Sequence, residues 1–367
     1  MSSLEDRLRR LILDHGPISI ARYMALAMGH PTGGYYPRRD PLGAAGDCVT
    51  APEVSQLFGE LIGRALLQHW LELGSPERVV LVELGPGRGT LMADAVRAMR
   101  TVPLSLQAIS IHLVETSPVL RERQAAALAG LPVHWHDELA GVPADRPVLL
   151  VANEFLDALP VRQFVRRSGR WHERMVAVDD TGELRFAVAP RATPFPEAIG
   201  GVDADTAEGT VLELAPAREA LAEAIGLRLV AQGGMALLID YGSDREVMTG
   251  DSLRAVRRHA GADPLAAPGE ADLSTHVDFR AVARRGASAG ASVFGPLPQR
   301  EFLERMGIEV RLGHLLERAQ PAQREALESG CLRLLALEAM GTLFKVLAIS
   351  APGGPLPPGF REDERWG

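Results

Sequence analysis

Val79–Arg100 reads VVLVELGPGRGTLMADAVRAMR, and its texture changes twice. Val79–Leu84 is apolar apart from Glu83, a run that suits a strand covered on both faces, as in a parallel sheet. Gly85-Pro86-Gly87-Arg88-Gly89 is too glycine-rich to continue a strand or a helix. From Thr90 onward, Leu91, Ala95, Ala98 and Met99 fall along one helical face. Strand, glycine turn and helix are therefore expected in that order. Such a turn lets backbone approach a ligand closely, while the first helical turn points free N–H groups at it.

The spacing within the turn separates two ligand types. A dinucleotide site has Gly-x-Gly-x-x-Gly and faces a pyrophosphate. Here the pattern is Gly-x-Gly-x-Gly, with Glu83 two residues before Gly85. A carboxylate there repels pyrophosphate and suits the ammonium end of an amino-acid-like cofactor. Glu-x-Gly-x-Gly-x-Gly resembles the first motif of class I S-adenosylmethionine (SAM) methyltransferases, which implies that Glu83, Gly85, Pro86, Gly87 and Gly89 bind cofactor. A second apolar run, Ser110–Val114, closes on Glu115, an acid placed to accept both ribose hydroxyls of an adenosyl group. Glu115 lies about 30 residues past Gly85 (115 − 85) against the usual ~20, and the segment from Thr101 to Gln107 accounts for the excess as a longer loop. A solvated strand-end acid is the alternative.

Composition agrees with a soluble enzyme. The chain has 367 residues, 46% of them hydrophobic, enough for a large core. A net charge of −8 gives no general footprint for nucleic acid or anionic membrane. No run approaches the ~18 apolar residues of a membrane span. The opening MSSLEDRLRRLILDHG has early acids and no apolar signal core, so a cytoplasmic location is expected, or the mitochondrial matrix in a eukaryote, although no clear transit peptide is present. Cys48 and Cys331 are the two cysteines and make neither a disulfide framework nor a zinc site; no metal is expected.

Helices are expected near Leu4–Ile12 and Ile18–Met28, followed by a long loop holding Tyr35, Tyr36 and Asp47. Thr50-Ala51-Pro52-Glu53 reads as a helix start, and Val54–Leu73 is amphipathic. Tyr35, Tyr36, Asp47, Thr50, Glu53 and Gln56 suggest a lid or substrate wall. After a third strand, Leu131–His136, stands Asp137, an acceptor for an adenine amino group or else an N-cap for Glu138 onward. His134 and His136 share a face and read as structural. Pro147–Ala152 is a fourth strand, running into Asn153-Glu154-Phe155-Leu156-Asp157. Ligands in open parallel sheets bind beyond the strands' carboxyl ends where strand order reverses, so Asn153, Glu154 and Asp157 are placed where a methyl donor meets its acceptor. Glu154 and Asp157 are three apart, which on a helical turn brings their side chains together. Surface acids capping a helix are the alternative.

A hairpin across Ser168-Gly169 carries Arg162, Arg166, Arg167, Arg170 and Arg174, a basic face for an acidic protein surface or simply for solvent. A Pro/Ala-rich stretch, Pro190–Asp205, follows. Gly233–Gly242, Ala291–Gly295 and Phe344–Ser350 complete seven strands. The fold class expected is α/β, a Rossmann-like seven-stranded class I SAM-methyltransferase sheet with an N-terminal helical and loop extension and inserted α+β segments. Its divisions are a lid segment 1–78, a core 79–350 with insertions at about 160–232, 243–275 and 299–341, and a tail 351–367.

HPTGGYY (His30–Tyr36), DPLGAAGDCVTAPEVSQLFGE (Asp40–Glu60), VELGPGRGTLM (Val82–Met92), ANEFLDALPVRQF (Ala152–Phe164), LLIDYG (Leu237–Gly242) and DPLAAPGEADLSTHVDF (Asp263–Phe279) together resemble the MidA family, relatives of the mitochondrial complex I assembly-factor methyltransferase. Cys48 stands where an aromatic is commoner in that family. The resemblance spans roughly residues 15–350 and implies a class I fold using SAM. In mitochondrial members it implies symmetric dimethylation of an arginine on the 49-kDa-type subunit of complex I. On that reading Glu154, with Asp157 and Glu53, grips the acceptor guanidinium; the partner is a protein, not nucleic acid. A SAM-binding assembly chaperone without methyl transfer is the competing class, and a divergent oxidoreductase a weaker one, disfavoured by Glu83.

Overall fold

In the computed structural model, which describes residues 3–40, 43, 46, 47, 49–193, 206–244 and 249–367, the opening stretch forms a strand, β1 (Val79–Leu84), with all six residues buried. Cys48 and most of the Pro/Ala-rich stretch lie outside the described residues. The chain divides into two units. One comprises Val49–Leu156, Ala220–Ser243 and Phe279–Gly367, and the other Met1–Cys48, Asp157–Glu219 and Asp244–Asp278.

The first unit holds the sheet. With β2 (Ile109–Val114), β3 (Val133–His136), β4 (Val148–Asn153), β5 (Gly234–Ser243), β6 (Ser292–Pro298) and β7 (Phe344–Ser350), the strand order is β6-β7-β5-β4-β1-β2-β3. β1 pairs in parallel with both β2 and β4, setting Glu83 beside Leu113 and Val151, while β7 runs antiparallel to β5 and β6. Strand order therefore reverses between β1 and β4, so the residues just beyond these two strands share one crevice.

Three helices frame that crevice: α1 (Gln56–Glu72), α2 (Thr90–Met99) and α3 (Pro118–Ala127). α1 and α2 touch backbone to backbone. A Cβ on Gly63 would come within 2.4 Å of the Ala95 Cα, so only glycine allows this approach. This packing corrects the expected boundary at residue 78, because α1 belongs to the sheet unit. The expected tail belongs there too: Phe360 is buried in the core, and the Trp366 N–H donates to the Val293 carbonyl at 2.8 Å.

The second unit contains a five-stranded antiparallel sheet and a small three-stranded antiparallel sheet in which Arg254–Arg257 lies between Ala260–Ala262 and Asp272–Ser274. The expected hairpin is present, Arg162–Arg167 with Arg170–Val178, turning at Ser168 and Gly169, which both have positive φ as a two-residue hairpin turn demands. Its basic face is smaller than the sequence suggested, because Arg162 pairs with Glu173 at 2.7 Å and Arg174 with Asp251 at 2.6 Å. Tyr35 and Tyr36 take part in this unit's own packing. Tyr35 is fully buried and donates to Asp47 at 2.7 Å, and Tyr36 donates to Asp272 at 3.2 Å, so both tie the loop into this unit.

Candidate functional site

The glycine turn takes backbone angles that other residues rarely adopt: φ is +61° at Gly85, +52° at Gly87 and +83° at Gly89. Gly85 also lies under a ring, since a Cβ there would stand 2.5 Å from Phe155 Cδ2. Gly89 is the N-cap of α2 with no side chain to cap it, and the Met92 N–H of that first turn donates to the Glu83 carboxyl.

Three groups with acceptor capacity stand at the strand ends around this turn. Glu83 is buried, and its Oε2 has no hydrogen-bond partner among the described residues. Burial, with a further contribution from the charge of Glu115, pushes the Glu83 carboxyl up to about 8. Glu115 follows β2, its Oε1 accepting from the Ser117 N–H at 2.7 Å and its Oε2 from Gln124 Nε2 at 3.1 Å. Burial raises its carboxyl too, and these hydrogen bonds act in the opposite direction. Asn153 ends β4, and its Oδ1 is likewise buried with no partner among the described residues. Buried unpaired acceptors are costly, so two of them in one crevice mark a place shaped for a donor that binds there. The three donors of an ammonium group match them.

Glu154 does not stand on a helical turn, because the chain after β4 makes a tight irregular turn with φ +49° at Glu154. The expected helical pairing of Glu154 with Asp157 is therefore absent. Asp157 belongs to the second unit, where its carbonyl accepts from the Thr275 N–H at 3.0 Å and from buried Arg218 at 3.1 Å. The carboxylate of Glu154 instead accepts from the Ala51 N–H at 2.9 Å and from Asn153 Nδ2 at 3.1 Å. Glu53, two residues along from Ala51, accepts from the Thr90 hydroxyl at 2.6 Å and faces Arg88 at 3.8 Å. Glu154 and Glu53 thus fasten the short segment Ala51–Val54 to the end of β4 and to the start of α2. Asp137 is largely exposed and pairs with Arg121 at 2.7 Å. His134 and His136 stack on His112, with ring centroids 4.9 and 5.1 Å away.

Sequence reasoning missed Gln124, Phe155 and Thr90, which touch groups it had named, and Trp135, which touches Gln124. Their contacts cross between elements, and no spacing rule announces such contacts. Glu83, Gly85–Gly89, Glu115, Asn153, Glu154 and Glu53 all lie in the sheet unit. These residues fit SAM: Glu83 and Asn153 for the amino-acid end, the glycine turn for close approach, and Glu115 for a vicinal diol.

Comparison with known proteins points the same way. Residues 61–297 match the family model for S-adenosyl-L-methionine-dependent methyltransferases. The chain is 39% identical to the mitochondrial protein arginine methyltransferase NDUFAF7 of Mus musculus, the alignment covering 91% of this chain and 81% of that one. It is 37% identical to the Homo sapiens protein of the same name, over 91% and 80%. Among solved structures, a superfamily member from Burkholderia thailandensis bound to S-adenosyl-homocysteine superimposes with a TM-score of 0.85 at 30% identity, covering 98% of this chain and 96% of that one.

Proposed function

The chain belongs to the SAM-dependent methyltransferase family that its motifs resembled, and from that premise we propose that it is a protein arginine N-methyltransferase. The observation that carries this reading is the pair of carboxylates, Glu154 on the Ala51 N–H and Glu53 within Ala51–Val54, beside a crevice that fits SAM. The names of the relatives support the same acceptor.

An arginine side chain stays protonated near neutral pH, so its guanidinium must be gripped and aimed before one nitrogen can attack. A carboxylate does this well, because a fork of N–H donors meets two oxygens. Bound SAM supplies the methyl group on a sulfonium. Glu83 and Asn153 hold its amino-acid end, and Glu115 holds its ribose. Glu154, anchored at the end of β4, orients the guanidinium and leaves the near nitrogen nucleophilic. Glu53, in the same unit, supplies the second arm. Holding donor and acceptor in line accounts for most of the acceleration.

The acceptor we propose is an arginine of the 49-kDa-type subunit of respiratory complex I, dimethylated symmetrically in support of complex I assembly; the family resemblance is its support. The site of action we propose is the cytoplasm, or the mitochondrial matrix in a eukaryote. The relatives are named mitochondrial, and among the described residues no helix is long and apolar enough to cross a membrane.

The test is incubation with methyl-labelled SAM and a lysate from cells lacking the protein. Label on arginines of that subunit, lost with Glu154→Gln, is the expected result. Label confined to other residues or to small molecules overturns the arginine reading.

A further inference from the structure

Gln124 is fully buried on α3, and its amide touches three groups that come from three parts of the chain. Nε2 donates to the Gly87 carbonyl at 2.7 Å and to Glu115 Oε2 at 3.1 Å, while Oε1 accepts from the Trp135 indole N–H at 2.9 Å. An indole nitrogen can only donate, and a carbonyl or a carboxylate can only accept. The three partners therefore agree on which end of the amide is which. Both donors of the amide nitrogen are used, one on the glycine turn and one on the strand-end acid. Packing reinforces the arrangement, since a Cβ on Gly89 would lie 3.3 Å from the Gln124 Cα.

We propose that Gln124 is a positioning residue for the adenosyl group: it sets the distance between the glycine turn and Glu115, and Trp135 locks its amide in the orientation that does so. The proposal rests on the reading of Glu115 as the acceptor of the ribose hydroxyls. Glu115 Oε1 is held by the Ser117 N–H and Oε2 by Gln124. The carboxylate plane is thereby fixed. A vicinal diol needs two acceptor oxygens at fixed separation, so a freely rotating carboxylate forfeits much of the gain. Gln124 acts through Glu115 and the turn. Its loss should weaken cofactor binding and leave the chemical step alone.

The experiment is calorimetric titration of S-adenosyl-homocysteine and its 2′-deoxy analogue into wild type, Gln124→Met and Trp135→Phe. The wild type is expected to favour the hydroxyl-bearing ligand. Gln124→Met should weaken that ligand by about 10- to 100-fold and the deoxy analogue far less, so the preference collapses. Trp135→Phe should show the same pattern at smaller size. With the acceptor present, kcat at saturating SAM should stay within a few-fold of wild type. Equal losses for both ligands, or unchanged binding, would mean that Gln124 merely packs, and would overturn the proposal. If Gln124→Met does not fold, Trp135→Phe decides on the same two outcomes. A wild type indifferent to the hydroxyl overturns the ribose reading of Glu115 itself and the proposal with it.

Discussion

Glu83 and Glu115 stand at the carboxyl ends of adjacent parallel strands, both buried, and the charge of Glu115 adds to burial in holding the Glu83 proton up to a pH of about 8. An unfolded glutamate loses its proton near 4.5. Between those values the folded protein binds a proton that the unfolded chain does not, so Glu83 lowers stability progressively as pH rises from about 4.5 to about 8. Glu83→Gln is expected to raise the ligand-free melting temperature at pH 8, with little gain at pH 5. A gain on the order of a few kcal/mol corresponds to a shift of several degrees. Calorimetric melting of both proteins across that range checks the sign.

The same proton reports the ammonium contact. A ligand ammonium next to Glu83 favours the carboxylate, so S-adenosyl-homocysteine binding near pH 7 should release close to one proton. Methylthioadenosine, which lacks the amino-acid end, should release far less. Titration in buffers of differing ionisation enthalpy measures this. Equal release by both ligands would show that Glu83 faces something else.

Glu115→Ala removes both acceptors at the end of β2. We expect S-adenosyl-homocysteine affinity to fall by on the order of 1–3 kcal/mol, roughly 10- to 100-fold. NAD should not bind either protein. Strong NAD binding by the wild type would contradict the reading of the glycine turn.

Gly85→Ala drives a methyl group toward the Phe155 ring at a backbone angle of +61°. A loss of roughly 1–3 kcal/mol in stability is expected, from overpacking. Removing the ring in the double variant Gly85→Ala/Phe155→Ala should cost less than the two single losses added together. Strict additivity in denaturant unfolding would show that Phe155 is not the obstacle.

Glu154→Gln should keep cofactor affinity within a few-fold and cut turnover by about 10²-fold or more, the scale for losing one preorganised charge-stabilising group. Glu53→Gln should be milder unless Glu53 is the second arm. Single-turnover rates at saturating SAM separate these outcomes, and a wild-type rate for Glu154→Gln would place the clamp elsewhere.

Strands buried on both faces are written in sequence as mostly apolar runs, which is why β1, β2, β4, β5 and β7 could be read directly and the ends of β1 and β4 expected side by side. The glycine turn was equally legible, because only glycine tolerates its φ values. The geometry after β4 was not. A three-residue spacing of acids suggested a helix, but Glu154 takes a left-handed conformation, and its carboxylate is drawn to an amide far along the chain. Gln124 was invisible for a related reason: a buried glutamine in a helix looks like any other until its three partners are located. The grouping of Ile18 with the hairpin, where it pairs with Val176, also depends on contacts between distant segments.

That pairing bears on the order in which the protein can be made. The second unit is assembled from three stretches, Met1–Cys48, Asp157–Glu219 and Asp244–Asp278, so its first helices leave the ribosome long before the strands they cover. Leu4, Leu8, Ile12, Tyr23 and Met24 all belong to its core together with Val161 and Val176, and until the hairpin arrives they lack the surface that it supplies. The amino-terminal segment must therefore wait for that share of its packing while the first four strands of the large sheet are synthesised.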